Sequence, residues 1–224
     1  SEAIIQALEK IPEIELLIAR NNKIGISRYL ETFLKFIKIR IFENPDLYII
    51  GFRGHEIYWL LRLFIIKKKI IFDEMMSPWS AFTGEKHGYP RDKLLGRVLY
   101  GIEKGILHDS DVVITDTEAH VDYLSKTFHL EKNRLKEVPV GTDENLFVPK
   151  KRVIKYTQGL ANKPFMVFFY GNFLPLHGVE VILESAALLH DLPIVFLIVG
   201  GRGNARNLAM FNKKLADLKC QNVR

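Results

Sequence analysis

The stretch with the most chemical content is Phe168-Phe169-Tyr170-Gly171-Asn172-Phe173-Leu174-Pro175-Leu176-His177-Gly178-Val179-Glu180. An apolar run stops at Gly171, a short loop turns through Pro175, and Gly178 opens an amphipathic segment. Glycine lets backbone approach a ligand closely. A helix start presents unpaired N–H groups and the positive end of its dipole, which together seat a diphosphate. An ordinary strand-to-helix turn would use the same residues. There is no Gly-Lys-Ser/Thr P-loop and no Gly-x-Gly-x-x-Gly dinucleotide fingerprint. A second cluster, Gly200-Gly201-Arg202-Gly203, follows the next apolar run and fits either a nucleotide pocket or a tight turn.

Two loops in the first half carry polar groups, Gly51-Phe52-Arg53-Gly54-His55-Glu56 and Asp73-Glu74-Met75-Met76-Ser77. Both follow apolar runs, and ligands of open α/β sheets gather at the carboxyl ends of strands. Arg53 and His55 could meet phosphate or a sugar hydroxyl, and Asp73 and Glu74 could orient hydroxyls or act as a base. Helix capping and local backbone hydrogen bonds are the structural alternatives. Asp109-Ser110-Asp111 imitates a metal-binding Asp-x-Asp, but it precedes a strand and so lies at the wrong end of a sheet. Asp116-Thr117 reads as the cap of the helix that carries His120. His87, His129 and His190 lack partners at metal-ligand spacing.

The elements that position these groups alternate. Strands are expected at 14–18, 47–52, 69–73, 112–115, 135–140, 165–170 and 194–199. Helices are expected at 27–42, 55–66, 91–107, 117–128, 178–190 and 204–218. Near-continuous apolar strands suit a parallel sheet buried on both faces. In the 91–107 segment Leu94, Leu95, Val98, Leu99, Ile102 and Ile106 form one apolar stripe. The pattern predicts an α/β fold, a Rossmann-like parallel sheet with helices on both faces, followed by the β-α-β-α start of a second such domain. The boundary is expected near 148, giving domains 1–148 and 149–224, with 141–163 as the connecting stretch.

Composition narrows the partners. The 224 residues are 48% hydrophobic and 26% charged, which excludes a disordered or fibrous chain. The net charge of +6 favours an anionic partner. The segment 23–42 is basic and amphipathic, with Tyr29, Leu30, Phe33, Leu34, Ile37 and Ile41 against Arg28, Lys35, Lys38 and Arg40. It could pack on the sheet or lie on an anionic membrane surface. No nucleic-acid signature is present. Single Cys220 excludes an internal disulfide framework and fits a reducing, cytoplasmic setting, peripheral to a membrane if the basic helix docks. No apolar run reaches the roughly 20 residues of a membrane span.

Six segments resemble, in order and spacing, the family-4-type retaining glycosyltransferases. Val138-Pro139-Val140-Gly141-Thr142-Asp143-Glu144-Asn145-Leu146-Phe147-Val148-Pro149 is similar to their interdomain (I/V)-P-x-G-x-D-x-x-x-F-x-P segment. The 170–178 loop is similar to their G-R-x-x-x-x-K-G donor loop, and Val181-Ile182-Leu183-Glu184-Ser185-Ala186 to the helix after it. Residues 196–203, 44–50 and 110–119 resemble the family's l-x-I-v-G-x-G, x-P-D-v-i and a-D-x-v-i-t-x-S-x-a segments. The likeness covers about residues 40–203.

The resemblance implies two Rossmann-like domains in the GT-B arrangement. It implies transfer of a sugar, with retained configuration, from a UDP- or GDP-type nucleotide sugar to a hydroxyl of a glycan or lipid-linked acceptor. No cofactor or metal is implied, since helix dipole and basic side chains neutralise the diphosphate. Donor contacts would fall on Gly171, Asn172, His177, Gly178, Gly200 and Gly201. Acceptor contacts would fall on Arg53, Gly54 and Ser77, and catalysis on Asp73, Glu74 and His55. Asn172 stands where the family has arginine, His177 where it has lysine, and Asp73 near the place of its catalytic histidine. The family's E-x7-E segment would lie beyond residue 224. The chain therefore reads as a transferase fragment with little turnover of its own. The alternatives are a non-catalytic nucleotide-binding or membrane-docking module, and a sugar-nucleotide epimerase or phosphorylase of the same fold.

Overall fold

The computed structural model describes residues 2–51, 53–85, 90–91, 93–142, 147–148, 164–174, 177–200 and 205–224. The chain divides into two compact units, Ser1–Val148 and Pro149–Arg224, the boundary that the change of composition predicts.

Unit 1 holds α1 (Glu2–Leu8), α2 (Ser27–Phe42), β1 (Leu47–Ile50), α3 (Tyr58–Arg62), β2 (Lys69–Asp73), the single turn α4 (Pro78–Ser80), α5 (Leu94–Asp109), β3 (Val112–Thr115), α6 (Glu118–Phe128) and β4 (Leu135–Glu137). The strands form one parallel sheet in the order β1-β2-β3-β4. Helices α2, α3, α5 and α6 pack on one face of this sheet. On that face Tyr48, Ile50, Ile70, Phe72, Val113 and Leu135 make a continuous core with Phe36, Tyr58, Ile106, Leu107, Leu124 and Phe128. The alternate residues of β1, Leu47 and Ile49, are exposed. Burial on both faces therefore does not extend to this strand.

Four sequence expectations are corrected. Residues 14–18 are not a strand. Ile14, Leu17 and Ile18 are exposed there and no neighbouring strand pairs with them; an unpaired strand leaves its backbone groups unsatisfied. The 55–66 helix is a short turn, Gly54–Glu56, followed by α3. On α5 the buried face is rotated from the expected stripe. Glu103, Ile106 and Leu107 are buried with Leu99 and Tyr100 half-buried, whereas Leu94, Leu95, Val98 and Ile102 are exposed. Burial of the polar members is possible because Tyr100 donates to Thr127 O (2.9 Å) and Glu103 accepts from the Trp79 N–H (2.8 Å). The apolar side of α2 is likewise split. Phe33, Phe36 and Ile37 pack inward, while Leu30, Leu34 and Ile41 point out. Asp109 accepts from Tyr58 (2.8 Å) and Arg62 (2.6 Å), and Asp111 from Lys69 (2.6 Å) and the Ile70 N–H (2.9 Å). Both aspartates thus hold the sheet's amino end.

Unit 2 holds β5 (Phe165–Gly171), α7 (Val179–Leu188), β6 (Ile194–Gly200) and α8 (Ala205–Leu218). β5 and β6 pair in parallel from Phe165↔Ile194 to Gly171↔Gly200. Val223 makes an isolated parallel bridge to Phe196, with Arg224 N–H donating to Phe196 O (2.8 Å). Leu183 and Ala186 of α7 are fully buried, and Val195, Phe196 and Leu197 of β6 are buried.

Candidate active site

At the carboxyl end of β2 the chain turns from Asp73 through Glu74 to Ser77, all three buried. Ser77 caps α4, its Oγ accepting from the Ser80 N–H at 3.1 Å. The 54–56 turn lies against this loop because residue 54 is glycine. A Cβ there would stand 2.2 Å from Ile50 Cγ2. That close seat packs the His55 ring edge-on against Phe72 (4.8 Å) and brings its Nε2 within 2.6 Å of Glu74 Oε2. Glu103 completes the group from α5.

Electrostatics in this cluster are set by burial. Desolvation first, and the charge of Asp73 second, hold the Glu74 carboxyl well above its ordinary range. Burial pushes the His55 imidazole down, against the upward pull of Glu103 and Glu56. The spacing would suit an ion pair, yet both shifts favour neutral partners joined by one hydrogen bond. Burial, then the charge of Glu74, raises Glu103 to about 7, opposed by hydrogen bonds from Ser77 and the Trp79 N–H. Glu74 Oε1 and Glu103 Oε1 are buried with no hydrogen-bond partner among the described residues.

Arg53 is not part of this cluster. It adopts φ 66° and pairs with Glu56 at 2.8 Å, and Glu56 also receives Arg28 at 2.7 Å and the Tyr29 hydroxyl. Of the first-half candidates, the fold gathers Asp73, Glu74, His55 and Ser77, gives Gly54 a packing role, and turns Arg53 outward.

Two recesses open at the same carboxyl edge. One, of about 200 Å³, is lined by Asp73, Met75, Ile114, Thr115, Asp116 and the 138–141 segment, with Ala3 and Ile4 of α1. The other, of about 310 Å³, is lined by Met75, Met76, Ser77, Ser80, Ala81, His120 and Tyr123. Thr117 caps α6 as its sequence predicts, accepting from the His120 N–H at 3.2 Å. The His120 ring is fixed through Nδ1, which lies 2.7 Å from Thr115 Oγ1 and 3.0 Å from Asp116 Oδ1. Burial works upward on Asp116, but the hydrogen bond and charge of His120 hold it below the usual carboxylate range. Sequence reasoning gave His120 no function and did not reach Glu103. The legible signal for Glu103 was an acid four residues after Leu99 and three before Ile106, inside a helical apolar period.

In unit 2, β5 and β6 end on the paired glycines Gly171 and Gly200. A Cβ on Gly200 would lie 1.8 Å from the Gly171 carbonyl oxygen, so only glycine fits there. The loop then folds on itself. His177 Nδ1 bonds the Asn172 carbonyl, Leu174 N–H donates to Asn172 O (2.7 Å), and Phe173 is buried against Phe211 (4.5 Å). Gly178 sits at φ 61° as the residue before α7, with nothing within 4 Å of where a Cβ would stand and no side-chain cap. In the first turn of α7 the Val181 and Ile182 N–H groups donate to Gly178 O (2.9 and 3.2 Å), which leaves those of Val179 and Glu180 without an acceptor among the described residues. Gly201 lies outside the described residues.

Two parallel α/β units with glycine-ended strands and polar groups at the carboxyl edges have the fold of the GT-B glycosyltransferases. Sucrose-phosphate synthase from Thermosynechococcus elongatus matches over 90% of this chain with a TM-score of 0.68 at 18% identity, and Anabaena HepE in complex with UDP-glucose over 99% with 0.65 at 16%. The chain covers 51% and 57% of those two structures. No family model matches the chain. Among curated relatives, the D-inositol 3-phosphate glycosyltransferases of Mycolicibacterium gilvum (32% identical over 100 residues) and Actinosynnema mirum (29% over 119) are similar to it. These alignments take in 44% and 50% of this chain but only 22% and 27% of the relatives. The resemblance to glycosyltransferases read from the sequence is borne out, and the chain spans about a quarter of the relatives' length.

Proposed function

We propose that the protein carrying this chain transfers a sugar from a UDP- or GDP-type nucleotide sugar to a hydroxyl acceptor, with retention of anomeric configuration. The observation that carries this is the amino end of α7, with no side-chain cap at Gly178, after the paired strand ends Gly171 and Gly200. Its N–H groups and dipole would neutralise the departing diphosphate without a metal ion. Support comes from HepE, a neighbour of the same fold with bound UDP-glucose. Gly171 and Gly178 would supply close backbone approach, and Asn172 and His177 neutral or titratable donors beside it. Gly200 would complete the floor, and Gly201 enters as a donor contact on its sequence position alone.

In unit 1 the acceptor, a glycan or lipid-linked hydroxyl, would bind at the β2 and β3 ends. Asp73 lines a recess there, while Glu74 and His55 hold its loop from beneath. Ser77 and Gly54 would shape the acceptor side, and Arg53 would act at its rim. Incubating the full-length protein with nucleotide sugars and EDTA, with the anomer read by NMR, tests this reading. Release of no nucleotide, inverted product, or a strict divalent-metal requirement would overturn it.

A membrane role has one specific observation in its favour. Ile26, Leu30, Leu34, Ile41 and Phe42 form an exposed apolar strip along α2. Its charges count for less than the sequence implied. Lys35 pairs with Glu31 at 2.8 Å, Arg28 with Glu56, and Arg40 bonds Phe64 O at 3.1 Å, which leaves Lys38 facing outward. Docking on the cytoplasmic membrane face would therefore rest on apolar insertion with modest help from charge.

A further inference from the structure

The geometry points to His120 as the hydrogen-bond partner of an acceptor hydroxyl, in a recess built for one neutral ring polyol. This rests on the glycosyl-transfer reading above and names its acceptor class. The argument begins with the ring's orientation. Asp116 is an acceptor, and its Oδ1 stands 3.0 Å from Nδ1, so the imidazole hydrogen sits on Nδ1 and is shared with Thr115 Oγ1 at 2.7 Å. Thr115 is itself buried at the end of β3, and Thr117 caps the helix start that carries the ring. Two elements thus favour one tautomer of the neutral ring, the one with a lone pair on Nε2. Nε2 has no partner among the described residues, and the ring lines the 310 Å³ recess. A carboxylate behind an imidazole raises its strength as an acceptor, the arrangement that orients a hydroxyl for reaction.

The recess then selects the ligand. Its volume falls at the small end of ligand pockets, roughly 300–1,000 Å³, enough for a single sugar or cyclitol ring. Ser77 and Ser80 offer hydroxyls, while Met75, Met76 and the Tyr123 ring offer apolar surface for the C–H faces of such a ring. The described lining includes no lysine or arginine, and the charge at Asp116 lies directly behind the binding nitrogen. A phosphorylated ring would meet a carboxylate where it needs a cation. Here the chain parts from relatives whose names specify inositol 3-phosphate.

The test needs no donor. The 224-residue chain, labelled with ¹⁵N histidine, is titrated with myo-inositol and with myo-inositol 3-phosphate while long-range ¹H–¹⁵N spectra follow the His120 nitrogens, assigned through His120→Gln. A saturable shift at Nε2 with the neutral ring, at least fivefold weaker with the phosphate and weakened severalfold in Asp116→Asn, is the expected result. Melting curves of both variants within a few degrees of the parent chain separate binding from folding. No saturable Nε2 shift with myo-inositol overturns the assignment, and equal or tighter binding of the phosphate overturns the neutral class. Failure of nucleotide release by the full-length protein would instead count against the transfer reading and leave this binding result intact.

Discussion

Nε2 of His55 lies 2.6 Å from Oε2 of Glu74 under the loop that ends β2, with the glutamate fully buried and the ring nearly so. Burial moves the two groups in opposite directions and toward the same outcome, a neutral pair. Such a pair keeps the hydrogen bond without the desolvation cost of two charges.

Stability of unit 1 should therefore depend on pH through Glu103. Its folded-state value of about 7 lies above the ordinary 4.5, so the folded state binds the proton more tightly. The stabilisation is fully present below about 4.5 and is lost as pH rises toward 7, on the order of 3 kcal/mol in all. Glu74 acts in the same sense. His55, lowered from 6.5, acts oppositely as pH falls below that value. Glu103→Gln should flatten the fall between pH 5 and 7 in urea denaturation; an unchanged slope would show that Glu103 titrates normally.

The glycines of unit 2 should differ sharply in cost. Gly200→Ala forces a methyl into the Gly171 carbonyl and should destabilise by more than about 4 kcal/mol. Gly178→Ala, with φ 61° but open space, should cost about 1–2 kcal/mol. Denaturant midpoints of the two variants check the ranking, and comparable losses would contradict the described strand ends.

Thr117→Ala should cost about 1 kcal/mol by removing the cap that His120 N–H uses. Thr117→Ser should recover most of it. A loss under about 0.3 kcal/mol in thermal melts would mean that water replaces the cap.

Vesicle flotation addresses the α2 strip. Leu30→Asp with Leu34→Asp should abolish binding to anionic vesicles, whereas Lys38→Glu alone should reduce it only a few-fold. Binding that survives the double change, or that ignores Lys38 altogether, would remove apolar insertion or the charge contribution respectively.

Much of this architecture was legible in residue order, because strand and helix periods and the glycines at strand ends are local properties. The Phe165–Gly171 and Ile194–Gly200 strands, the Thr117 cap, the unit boundary near 148 and the turn before α7 all follow from them. What local pattern could not decide was which face of an amphipathic helix goes inward. On α5 a leucine-rich stripe stays in water while Tyr100 and Glu103 go inside, because partners from Thr127 and Trp79, far away in sequence, satisfy them. The His120 ring was an anonymous helix residue until the end of β3 brought Thr115 and Asp116 to one side of it. Hydrogen-bond partners across elements exist only once the sheet has ordered them, so tertiary structure alone decided which buried acid, histidine and serine would meet.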